Sequence, residues 1–152
     1  MARRITLLIT ILALAIVGIA PSQAAAPKKK PKSISGQYDV KLLPDPTQDV
    51  MTNVKDGCNG LTGKGTDNHP FTVPAKGTLT VHLVSPDPTN KGVTDWALWL
   101  MDKDGVAIDS SDSNGSDEQT TTDFKKKTSF VIQTCNIAGQ QDGHISWVFK
   151  YA

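Results

Sequence analysis

The chain has 152 residues, with 16 Lys and Arg against 15 Asp and Glu and a formal net charge of +1 when histidine is neutral. That size excludes a large multidomain enzyme, and so even a balance offers no electrostatic footprint for nucleic acid as the main partner.

Residues 1–24, MARRITLLITILALAIVGIAPSQA, read as a secretory signal peptide: Arg3 and Arg4 precede an apolar run from Ile5 to about Ala20, and small residues follow. Ser22-Gln23-Ala24 places cleavage after Ala24, whereas a cut after Ala26 would put Pro27 just beyond the bond. An uncleaved N-terminal anchor is the alternative, and no later stretch resembles a second membrane span. Processing leaves 152 − 24 = 128 residues, enough for one domain with its own core. Residues 25–33 form a Pro/Lys linker holding Lys28, Lys29, Lys30 and Lys32. It reads as a solvated spacer, or as a leash toward anionic cell-wall polymer or lipid headgroups. The domain proper spans 34–152, and with 10 basic and 15 acidic residues it carries 10 − 15 = −5.

Within that domain apolar and polar residues alternate, and no 3.6-residue period is seen. In chain order the predicted strands are GQYDVKLL, HPFTVPA, TLTVHLV, TDWALWLM, GVAIDS, TSFVIQTC and GHISWVFKY, with Gly and Pro falling between them. In TLTVHLV, for example, Leu79, Val81 and Leu83 share one face and Thr78, Thr80 and His82 the other. Pro44-Asp45-Pro46-Thr47 and Pro86-Asp87-Pro88-Thr89 read as stiff corners. The apolar-poor run from Ser110 to Asp123 reads as an exposed loop or hairpin tip around Asn114-Gly115, and Asn114-Gly115-Ser116 matches a glycosylation sequon. Many short strands in so short a chain predict an all-β fold, an antiparallel, jelly-roll-like β-sandwich of seven to eight strands.

Cys58 and Cys135 are the two cysteines, and an exported chain favours joining them in one disulfide across 135 − 58 = 77 residues. There is no Cys-x-x-Cys, and His69, His82 and His144 are isolated in sequence, so a thiol or histidine metal site is not supported. Asp102, Asp104, Asp109, Asp112 and Asn114 bring enough side-chain oxygen into a short span to raise a calcium site, although the EF-hand register fails for want of its closing glutamate. No other cofactor is expected. Nucleophile-elbow, zinc-hydrolase, phosphate-loop and dinucleotide motifs are missing from the mature sequence, so no catalytic residue is nominated.

In TDWALWLMDKDG, period-two geometry sends Trp96, Leu98 and Leu100 to one face and Ala97, Trp99 and Met101 to the other, with Asp-Lys-Asp-Gly as a hairpin turn. The first set is the core face. Trp99 is then either covered by the segment around Tyr38 or exposed as a stacking platform for a sugar or a partner. Asp95-Trp96-Ala97-Leu98-Trp99-Leu100 followed by Asp104-Gly105, the preceding Gly77, Leu79 and Leu83, and the closing HISWVFKYA resemble the bacterial pre-peptidase C-terminal domain family over roughly residues 71–151. That resemblance implies a jelly-roll-like sandwich in a secreted, non-catalytic accessory module. The expected partners are carbohydrate, cell-wall polymer or extracellular protein, with no membrane span after signal cleavage. A secreted hydrolase built from aspartates and a purely structural envelope protein are the alternative functions.

Overall fold

The computed structural model describes residues 32–45, 58, 65–86, 93–113 and 115–152. The predicted signal peptide, most of the linker, Asn114 and parts of both Pro-Asp-Pro-Thr tetrapeptides lie outside the described residues. Eight strands follow in order: β1 (Ser33–Lys41), β2 (Thr66–Val73), β3 (Gly77–Val84), β4 (Asp95–Met101), β5 (Ala107–Ser111), β6 (Asp117–Phe124), β7 (Thr128–Ala138) and β8 (Asp142–Tyr151). All pairings are antiparallel, in one sheet of order β1-β8-β3-β6 and a second of order β2-β7-β4-β5. Apart from the β4–β5 hairpin, successive strands thus pass back and forth between two facing four-stranded sheets, which is jelly-roll connectivity. The expected all-β sandwich is the fold observed.

Alternation explains the layers. Leu79, Val81 and Leu83 of β3, Ile145 and Phe149 of β8, Trp96, Leu98 and Leu100 of β4 and Phe130 and Ile132 of β7 fill the space between the sheets as one core. Fully burying side chains of this kind contributes about 1.5–3 kcal/mol each. The partners of Leu79, Val81 and Leu83 on the pleat, Thr78, Thr80 and His82, turn to the outer face, where Thr78 donates to Asp123 (2.5 Å) and Thr80 pairs with Thr121 (3.2 Å). The β4–β5 hairpin closes at Asp102, whose N–H donates to the Val106 carbonyl (2.8 Å). Gly105 supplies the left-handed backbone (φ 76°) that a side-chain-bearing residue rarely adopts.

One prediction is corrected here. The run read as a loop from Ser110 to Asp123 contains β6, an edge strand paired to β3 along its whole length. Its alternation is hidden because the inward residues Glu118, Thr120 and Thr122 are polar, and only Phe124 is apolar. β5 and β6 lie in different sheets, so they do not form a hairpin; Asn114 itself lies outside the described residues. Inward-facing Glu118 is 1% exposed and is satisfied locally, accepting hydrogen bonds from the hydroxyls of Ser111 and Ser113 and from the Ser113 N–H (2.9 Å). Together with a Thr122 hydroxyl bond to Asp109 (2.6 Å), these contacts stitch the two sheets along the β5–β6 side.

Charge accumulates beside that stitch. Asp95 is pushed above the ordinary carboxylate range first by desolvation and then by the charge of Glu118, against a weak opposing bond from the Gly115 N–H (3.5 Å). Asp112 is raised likewise, first by desolvation and then by Asp95 and Glu118. A carboxyl whose folded pKa exceeds its unfolded one binds more proton in the fold. Its stabilising contribution is therefore complete below the unfolded pKa and is lost as pH rises through the folded one. Asp112→Asn is expected to be more stable than the parent at neutral pH, with the gap closing on acidification toward the ordinary carboxylate pKa. Urea midpoints across that range check it, and a gap that does not change with pH would contradict the assignment.

Candidate functional site

The side of the sandwich opposite the stitch is built differently. β1 and β2 are both edge strands there, one from each sheet, with no backbone ladder between them. They meet through rings. Tyr38 of β1 stacks on His69 of β2, with centroids 4.0 Å apart and planes 15° apart. Phe71 of β2 meets Trp147 of β8 edge-on at 4.9 Å and leans on Phe130 at 5.5 Å. Tyr38, Phe71 and Trp147 are partly buried apolar side chains packed against the main core. Gly36 makes room for this set: a Cβ there would lie 2.6 Å from Cζ2 of Trp147, so the indole lies across bare backbone.

The seam also holds two polar atoms that are hidden from solvent yet have no hydrogen-bond partner among the described residues, the Tyr38 hydroxyl and Oδ2 of Asp67. Burial, and secondarily the charge of Asp67, push the Tyr38 phenol far above its usual range, so it stays a neutral donor. A buried polar group left unpaired costs about 1–3 kcal/mol. The Tyr38 hydroxyl can donate and accept, the Asp67 carboxylate only accepts, and ring faces lie beside them. A single hydroxyl group would meet both polar requirements at once.

The residues nominated from sequence are placed elsewhere. Cys58 and Cys135 are joined as a disulfide, with Cα atoms 6.1 Å apart, and no described cysteine is free. Trp99 is 2% exposed and cannot serve as a stacking platform. It lies on the outer face of its sheet in a second apolar cluster with Cys58, Ala97, Met101 and Cys135. Its cover also differs from expectation, since Tyr38 sits in the seam and, among the described residues, it is Cys58 from outside the strands that joins the cluster around Trp99. Gln133 fixes that cover from below: Oε1 accepts the Cys58 N–H (2.8 Å) and Nε2 donates to Asn68 (2.7 Å).

The oxygen-rich stretch does not converge on one point. Oδ1 of Asp102 accepts the N–H groups of Asp104 and Val106 (both 2.8 Å), the usual work of an aspartate in a tight turn. Asp104 takes the Lys103 ammonium (2.6 Å) and Asp109 takes Thr122, while Asp112 lies beyond the far end of β5. Asn114 is outside the described residues. Among the described residues no group of three or more His, Cys, Asp or Glu is arranged to hold a metal ion.

Tyr38, His69, Phe71 and Trp147 all fall on predicted strands, but their meeting depends on which strands are edges and which edges face each other. Single-strand periodicity carries no such information.

No protein-family model matches the chain, and no curated protein matches it. Among solved structures, a fucose binding module from Streptococcus pneumoniae is similar at 18% identity, covering 77% of this chain and 90% of that one, with a TM-score of 0.32. A likeness at that level leaves the reading of the seam to its own residues.

Proposed function

We propose that the chain is an exported, non-catalytic binding module whose seam between β1 and β2 takes a carbohydrate. The observation that carries this reading is the pair of buried, unpartnered polar atoms, on Tyr38 and Asp67, set among half-buried rings. The leader-like N-terminus supports export, and the resemblance of residues 71–151 to pre-peptidase C-terminal domains agrees with an accessory module.

Tyr38→Phe separates a binding role from a packing role. Removing a hydroxyl that has no partner should leave the folded state as stable as before, or up to about 1 kcal/mol more stable. The same change should weaken carbohydrate binding, because the ring remains and only the donor is lost. A glycan array on the parent identifies the sugar, and calorimetric titration of parent and variant with that sugar gives the comparison. Unchanged affinity together with unchanged stability would remove the seam as the site.

A further inference from the structure

The strand register gathers lysines at one end of the sandwich. β1 begins and β8 ends there, with Ser33 opposite Lys150 and the Tyr151 N–H donating to the Lys32 carbonyl (3.1 Å). β3 begins there too, Gly77 pairing with both Tyr151 and Phe124, so the β2–β3 turn with Lys76 and the β6–β7 turn with Lys125, Lys126 and Lys127 lie side by side. Lys103 sits on the β4–β5 turn at the same end, since Met101 pairs with Val131 near the start of β7. All these lysines are exposed, and among them only Lys103 makes an ion pair, with neighbouring Asp104.

The opposite end is acidic. Asp39, Asp95, Asp112, Asp117, Glu118 and Asp142 lie at or beside the strand ends there, and Lys41 is the one described lysine among them. Asp102, Asp104 and Asp123 lie at the basic end, outnumbered there by Lys32, Lys76, Lys103, Lys125, Lys126, Lys127 and Lys150, so although the body as a whole is negative its charge is unevenly distributed along the strand axis.

Lys76 and Lys125 flank an open pocket of about 420 Å³ whose remaining lining includes Gly77, Thr78, Asp123 and Phe124. Lysines act as flexible point charges and do not impose the forked geometry of arginine. A concave site between two of them, whose wall also carries the Asp123 carboxylate that accepts the Thr78 hydroxyl, keeps a net positive charge and is shaped to receive a discrete anionic residue, whereas a bilayer surface is flat. From this charge complementarity and shape we infer that the basic end is a second binding surface, for a polysaccharide bearing repeated acidic groups. It shares no residue with the seam and stands independently of what the seam binds.

The test uses the processed protein with polygalacturonate as the acidic polymer and dextran as the neutral control. Vesicles of phosphatidylglycerol with phosphatidylcholine serve as the competing surface. Binding to polygalacturonate and not to dextran is expected, weakening steeply as salt shortens the Debye length from about 30 Å to about 8 Å. Lys76→Ala/Lys125→Ala/Lys127→Ala should reduce affinity about tenfold or more, a difference of roughly 1.4 kcal/mol or above. Lys41→Ala, at the far end, should not, and an unchanged melting temperature in each variant shows that folding is intact. Absence of polygalacturonate binding at low salt, or equal binding by parent and triple variant, would overturn the inference. Binding to the vesicles alone would overturn it in favour of a lipid surface.

Discussion

Replacing Trp96 by alanine is expected to lower the stability of the fold by about 3–5 kcal/mol, the largest loss available from one side chain here. The ring is fully buried between the sheets, rests against Gly143 of β8, and donates Nε1–H to the Gln140 carbonyl (3.1 Å). Most of the loss comes from the cavity, because the Gln140 carbonyl keeps its second donor, Asn136 Nδ2 (2.9 Å). Trp99→Ala should cost a comparable amount, since that ring is 2% exposed on the other face of the same strand. Trp99→Phe should cost less than Trp96→Phe by about 1 kcal/mol, because the Trp99 indole N–H has no partner among the described residues to lose. Urea unfolding of the four variants gives the comparison, and a Trp99→Ala protein as stable as the parent would show that its face is not a second core.

Loss of the disulfide is the other change of that size. The bridge spans 77 positions, and in the chain-entropy description a loop of that length contributes about 4 kcal/mol by restricting the unfolded chain. A further effect follows from position. Cys58 is the described residue brought onto Trp99 from outside the sheet, so Cys58→Ser/Cys135→Ser should both lower the unfolding midpoint and let water reach the Trp99 indole. Iodide quenching of tryptophan fluorescence under conditions where the variant is still folded reads the second effect apart from the first. A variant with the parent's midpoint would refute the contribution assigned to the bridge.

How far sequence reasoning reached depended on whether a strand declared itself through apolar alternation. β3, β4 and β8 did so, because each buries one or both faces against hydrophobic partners, and the inward set Trp96, Leu98 and Leu100 was legible for that reason. β6 was not, because its inward residues are polar: Glu118 is buried with hydrogen bonds and Thr120 is buried with no partner for its hydroxyl among the described residues, and a polar side chain inside the fold looks the same in sequence as one in water. Trp99 exposes a similar blind spot: alternation correctly sent it to the outer face, but could not say that the outer face is covered. For the seam, Tyr38 and His69 lie far apart in the chain and meet because two strands are edges of different sheets, a fact of topology that neither strand records by itself.

The pairing of the first strand with the last gives the molecule a preferred direction of mechanical weakness. β1 is hydrogen-bonded to β8 alone, and the entry of β1 and the exit of β8 lie at the same end of the sheet. Tension applied between the linker and the segment after Tyr151 therefore peels β1 away like a zipper, breaking the ladder from Ser33 toward Lys41 a rung at a time, at low force. When the body is gripped at its far, acidic end instead, the same pull on the linker drags β1 lengthwise along β8 and loads every rung at once. A tethered domain of this design holds against a pull along its strands and yields to one that separates its two ends.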